Sequence, residues 1–100
     1  MGEPAQGIDI TREETDTKGR YVAAVEGHEA EMTYSRVGAS TIIIDHTGVP
    51  EPLRGRGIGE ALVERGVTDA RGEGRSIIPL CPFAKAQIAR RPEWQDVLKR

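Results

Sequence analysis

Residues 54–59 read Arg54-Gly55-Arg56-Gly57-Ile58-Gly59, three glycines and two arginines set directly ahead of a helical pattern. That combination suits an anion. Glycine has no Cβ, so a ligand can approach the main chain closely and the loop can take positive φ. The first N–H groups of a helix lack intrahelical acceptors and carry partial positive charge. Arginine adds a full charge and a fork of donors matched to phosphate oxygens. Such a loop between strand and helix describes a cradle for a phosphate group, most naturally a pyrophosphate. A glycine-rich turn that binds nothing is the competing reading.

Two familiar nucleotide loops do not fit. A P-loop needs Lys followed by Ser or Thr, whereas Gly59 is followed by Glu60-Ala61. The dinucleotide spacing Gly-x-Gly-x-x-Gly also fails, because Gly55-Arg56-Gly57 is followed by Ile58-Gly59, one residue short. No acidic residue closes a second strand about 20 residues further on.

The elements that must position this loop follow from hydrophobic periodicity. Four strands are expected ahead of it, over residues 8–14, 21–25, 29–37 and 41–49. In the third, Ala30, Met32 and Tyr34 alternate with Glu31, Thr33 and Ser35, the pattern of a strand buried on one face. The fourth, "TIIIDHTGV", is β-branched on both faces and is expected to be covered on both sides. The period then becomes helical over residues 57–74. Ile58, Leu62, Gly66 and Ala70 form one stripe, widened by Val63 and Val67, opposite Glu60, Glu64, Thr68 and Arg71. Gly66 costs about 1 kcal/mol against Ala in a helix interior, tolerable where the helix must sit close on the sheet. A fifth strand over 75–81, separated from the fourth by that helix, is expected to pair with it in parallel. A short helix over 83–90 ends before Pro92, and a last turn carries Trp94. Nothing in the pattern marks a repeat or a linker, so residues 1–100 are expected to form a single domain.

Composition excludes several functions. A formal charge of −2 does not provide the basic field of a general nucleic-acid binder. The charge is uneven: residues 1–50 hold nine acidic and four basic side chains, residues 51–100 seven acidic and ten basic. Either one pole suits an anion and the other a cation, or the charges are simply scattered over the surface. The single cysteine, Cys81, excludes an internal disulfide and a Cys-rich zinc site, and two distant histidines give no support to a metal. "MGEPAQGIDI" has neither the layout of a secretory signal nor a myristoylation pattern, since position 6 is Gln. No apolar run approaches the roughly 20 residues of a membrane span, and a cytoplasmic protein without a membrane partner is expected.

Arg54-x-x-Gly57-x-Gly59 resembles the Gln/Arg-x-x-Gly-x-Gly/Ala motif of the GCN5-related N-acetyltransferases. Together with "HTGVPEPLRGRGIG" and "IIPLCPFAKAQIARRPEW", it is similar to a compact, stand-alone branch of that superfamily, over roughly residues 20–95. The resemblance implies an α+β fold with a mixed sheet. A four-stranded antiparallel meander would be followed by a central helix, a parallel fifth strand splayed from the fourth, and short C-terminal helices. It implies acetyl-CoA as cosubstrate, with its pyrophosphate on Arg54, Gly55, Arg56, Gly57, Ile58 and Gly59. The pantetheine arm would run along residues 46–49, with a backbone N–H near Val49 polarising the thioester carbonyl. Pro79 supports the splay independently, because proline cannot donate to a ladder and is rare within central strands. The chain also departs from larger members: "TDTKGR" leaves no room for acceptor-binding helices. Cys81-Pro82-Phe83 stands where a general-acid tyrosine often lies.

Amide formation needs the acceptor amine to lose a proton and the departing thiolate to gain one, with a donor for the oxyanion formed between. Cys81 is expected beside the acyl group, as acid, as nucleophile, or as a small buried hydrophobe. An imidazole can act as a base near neutral pH, and His46, at the end of the fourth strand, is the candidate; ordering the loop is its alternative role. His28 falls in a hairpin turn. Glu26, Glu29 and Glu31 either form an acidic lip for the acceptor or a solvated strand face. Two functions stay open: an N-acetyltransferase acting on a primary amine, possibly a peptide or protein lysine, and a CoA- or acyl-CoA-binding module with little transfer activity.

Overall fold

The computed structural model describes residues 8–99; the expectations about residues 1–7 lie outside that range. Strands β1 (Asp9–Glu14), β2 (Lys18–Val25), β3 (His28–Val37) and β4 (Thr41–Gly48) precede helix α1 (Ile58–Glu73). Strand β5 (Ser76–Pro79) and helix α2 (Pro82–Ala89) follow, and 3₁₀ turns lie at Glu51–Leu53 and Pro92–Val97. The sheet order is β1-β2-β3-β4-β5, with antiparallel neighbours up to β4 and a parallel β4–β5 pair. This is the mixed α+β sheet that the sequence predicts.

The alternation in β3 does what its period demands. Ala30, Met32 and Tyr34 are buried, and β2 adds Tyr21 and Ala23 to the same face. The α1 stripe of Ile58, Leu62, Val63, Gly66, Val67 and Ala70 packs there, while Glu60, Glu64, Thr68 and Arg71 are exposed. Gly66 earns its place by contact: a Cβ on it would lie 2.8 Å from Met32 Cε. The helix ends in a left-handed Gly74, whose N–H bonds the Ala70 and Arg71 carbonyls, while the Arg75 N–H returns to the Ala70 carbonyl.

Two expectations need correction. β4 is not covered on both faces. Ile42 and Ile44 are buried beneath the helices, but Ile43 points to the other face and is only half-buried beside its register partner Ile78. The isoleucine run reflects strand propensity and mutual shielding across a strand pair. β5 is also shorter than residues 75–81, because Pro79 ends the ladder opposite Ile44. The Leu80 and Cys81 amides then both donate to the Ile44 carbonyl, at 3.1 and 3.0 Å. β4 continues to Gly48 without β5 beside it, which opens the splay.

A β-bulge adds a feature that periodicity does not reveal. Thr33 faces His46 while Tyr34 faces Ile44, so Asp45 is the extra residue. Beyond it the side-chain parity reverses. Thr47, opposite Met32, joins the helix-covered face, and His46 joins the open face.

At the β1 edge a charged network clamps α1 to the sheet. The Arg12 guanidinium lies 5.5 and 5.9 Å from the centroids of the Tyr21 and Tyr34 rings. It donates to Glu73 at 2.6 and 3.1 Å and to Glu14 at 2.9 Å. Tyr21 donates to Asp69 at 2.8 Å and Tyr34 to Glu14 at 2.6 Å. Hydrogen bonds from Arg75, Tyr34 and Arg12 outweigh burial and hold the Glu14 carboxyl down at about 2, against an ordinary 4.5.

Two outcomes follow from this framework. A Cβ on Gly19 would run into the Tyr34 ring, which its hydroxyl bonds to Glu14 and Arg12 keep in place. Gly19→Ala is therefore expected to destabilise by about 1–3 kcal/mol in urea unfolding. Because the folded-state pKa of Glu14 is depressed, its contribution is complete above the unfolded value of 4.5 and is lost as pH falls toward 2. Stability measured across that window should decline more steeply for the wild type than for Glu14→Gln.

Candidate functional site

The chain leaves β4 at Gly48, makes the Glu51–Leu53 turn, whose Leu53 is buried, and reaches the glycine-arginine hexamer. Gly55 and Gly57 both take positive φ, 77° and 78°. Gly57 is the left-handed N-cap of α1 and has no side chain to offer the helix. The first helical hydrogen bond runs from the Ala61 N–H to the Gly57 carbonyl at 3.0 Å. The amides of Ile58, Gly59 and Glu60 therefore lack intrahelical acceptors, and no side chain caps them. They stand at a groove of about 1180 Å³. The hexamer forms one wall, residues 46–50 another, and Glu29, Glu31 and Phe83 also line it.

The members of the hexamer differ in what they can contribute. The Ile58 side chain is buried in the core, so only its main chain faces the groove's chemistry. Gly59 is glycine for a packing reason: a Cβ there would lie 2.8 Å from Phe83 Cζ and 3.4 Å from Val49 Cγ2. Arg54 is exposed; its Nε donates to the Val49 carbonyl at 3.1 Å. Among the described residues Arg54 has no acidic partner, so its terminal nitrogens are available. Arg56 instead holds Glu26 with both terminal nitrogens, at 3.1 and 3.0 Å.

Cys81 does not end β5; it lies two residues beyond and is the N-cap of α2. Its side chain is buried, with 4% exposure, and Sγ donates to Thr47 Oγ1 at 3.5 Å. Burial pushes the thiol up, but the Thr47 hydroxyl, the Ala84 and Phe83 amides and the Thr47 main chain more than offset it. The pKa falls below its ordinary 9.0. A lowered pKa at a helix start favours the thiolate, but Cys81 is buried and does not line the groove, whereas reactive thiols are partly exposed. His46 lies inside β4, exposed on the open face of the sheet, opposite the face that holds Thr47 and Cys81. The two candidate catalytic residues are thus on either side of the gap between β4 and β5, with no hydrogen bond between them. Thr47 falls within the stretch 46–49 expected along the arm, but its link to Cys81 is not legible in the sequence, because the bulge at Asp45 leaves no mark in the periodicity. His28 lies at the start of β3 and is exposed. Among the described residues no group of three or more His, Cys, Asp or Glu side chains is placed to hold a metal, and no helix is long and apolar enough to cross a membrane.

The sheet is thus split along its parallel pair, and an uncapped helix start lies at the groove beside it. Residues 20–97 match the family model described as GCN5-related N-acetyl-transferase. The chain belongs to that family, and acetyl transfer is its general chemistry. Its fold is similar to the NMR solution structure of a GCN5-like protein from Staphylococcus aureus, described as a candidate N-acetyltransferase. The two are 33% identical with a TM-score of 0.68, over 94% of this chain and 90% of that one. No curated protein matches the sequence.

The site makes one prediction about Cys81 itself. Thr47→Val removes the hydroxyl that stabilises the thiolate. The pH midpoint for modification by a small thiol reagent should therefore move upward relative to the wild type.

Proposed function

We propose that the chain, acting as a single cytoplasmic domain, transfers an acetyl group from acetyl-CoA to a primary amine. The observation that carries this reading is the set of uncapped Ile58, Gly59 and Glu60 amides beside the guanidinium of Arg54, which has no acidic partner among the described residues. The groove fits a diphosphate: positive-φ glycines at 55 and 57 bring the main chain to its surface without side chains in the way. Arg54, Gly55, Arg56, Gly57, Ile58 and Gly59 would hold the diphosphate, the amides of Ile58 and Gly59 acting together with that of Glu60 and the helix dipole. The arm of the cosubstrate would follow Val49 and Thr47 along the unpaired end of β4, with the Val49 N–H directed at the thioester carbonyl.

The proposed residues divide the proton work across the gap. The amine nitrogen attacks the thioester carbonyl carbon, the C–N bond forms and the C–S bond breaks. His46, on the open face, takes the amine proton through a water molecule. Cys81, held by Thr47 and the start of α2, supplies the proton that the departing thiolate needs. The open face has no helix over it among the described residues, so the amine can belong to a bulky substrate such as a lysine on a peptide or protein. A CoA-binding module is the second reading, favoured by the burial of Cys81.

Coenzyme A at a hundredfold excess over its dissociation constant should stabilise the folded chain by about 2.7 kcal/mol, read as a rise in Tm. Thiol release from acetyl-CoA in the presence of amines and lysine peptides tests turnover. Cys81→Ala should retain coenzyme A binding and lose about a hundredfold in turnover, the low end of acid–base contributions. Undiminished turnover in that variant would remove Cys81 from the mechanism, and binding without turnover by the wild type across a broad amine panel would favour the module.

A further inference from the structure

Glu26 stands at a position where local structure disfavours it. The β2–β3 hairpin has a two-residue turn, Glu26-Gly27, with Val25 paired to His28. Both turn residues have positive φ, 52° for Glu26 and 81° for Gly27. Turns of this kind strongly prefer Asn-Gly, and Glu26 is the one non-glycine with positive φ among the described residues. A side chain held in the left-handed region costs stability. Such departures cluster where the side chain serves a binding site.

The Glu26 side chain does reach one. Its carboxylate takes both terminal nitrogens of Arg56, thirty positions along the chain and on the wall of the groove. Arg54, the other arginine of the loop, has only the Val49 carbonyl among the described residues. One guanidinium of the cradle is therefore free for an incoming anion, and the other is already neutralised by an internal carboxylate. A diphosphate that engages Arg56 must share that fork or displace Glu26, and meets the carboxylate's charge at close range.

We infer that Glu26 is a built-in counter-ion that competes with the cosubstrate's diphosphate for Arg56 and so holds down affinity for coenzyme A and its thioesters. This rests on the diphosphate site proposed above. The device sets affinity through a single exposed ion pair, so it releases product by the same amount that it weakens substrate. It also ties the phosphate loop to the hairpin whose β3 strand carries Glu29 and Glu31, which line the same groove.

Calorimetric titration of coenzyme A into the wild type, Glu26→Gln, Glu26→Asn, Arg56→Ala and the Glu26→Gln/Arg56→Ala double variant tests the inference. Both Glu26 variants should bind about threefold more tightly, the scale of an exposed ion pair. The gain should vanish in the Arg56→Ala background. Glu26→Asn should also raise Tm, because it creates the favoured turn sequence, so tighter binding cannot be attributed to a damaged fold. Unchanged or weaker binding by both Glu26 variants overturns the counter-ion role, as does an equal gain without Arg56. Absence of any binding by the wild type would overturn the diphosphate site itself, a result distinct from either.

Discussion

Between Ile44 and Cys81 the parallel pairing of β4 with β5 gives way, and the groove follows from that break. Pro79 offers no N–H to the ladder, and the next two amides both turn onto the Ile44 carbonyl. A central sheet position with unpaired backbone beyond it is costly unless other partners arrive. β4 nevertheless extends to Gly48, because β3 continues to pair with it on the other side as far as Glu31. The chain then returns at Gly57 into α1, whose first amides face the same opening. Backbone groups without internal partners are thus collected at one end of the sheet. There they carry a charge preference that side chains alone would have to supply in a more regular fold.

Packing on the helix-covered face fixes where that opening lies. Gly66 lets α1 settle onto Met32, and Gly59 lets its first turn settle against Phe83 and Val49. The Arg12 network clamps the far end of the helix to β1. The helix start cannot drift from the end of β4 without loosening one of these contacts. The bulge at Asp45 has the complementary effect. It turns Thr47 toward Cys81 and His46 toward the open face, so that polar groups stand on both sides of the gap.

Much of this was legible in the residues. The alternation of β3 and the helical stripe from Ile58 to Ala70 each have a period that admits few readings, and the structure places both as read, with the glycine-arginine loop between strand and helix. Pro79 marked the splay for the same reason that it ends the ladder. What escaped lay in relations between distant residues. The bulge depends on register, which the pattern of β4 alone does not encode. Thr47 became a partner of Cys81 only through that parity change. The Arg56–Glu26 pair joins a loop to a hairpin thirty positions away. The isoleucines of β4 misled about two-sided cover, because β-branching reports the extended backbone and not what packs upon it.

In the function proposed above, main-chain amides at the start of α1 hold the diphosphate of the cosubstrate. An amide-resolved NMR titration with coenzyme A addresses it directly. The account predicts that the Ile58, Gly59 and Glu60 N–H resonances move most, with neighbouring signals from Arg54 to Gly57 moving alongside. Saturable shifts centred on another part of the sheet, with those three amides unmoved, would contradict it.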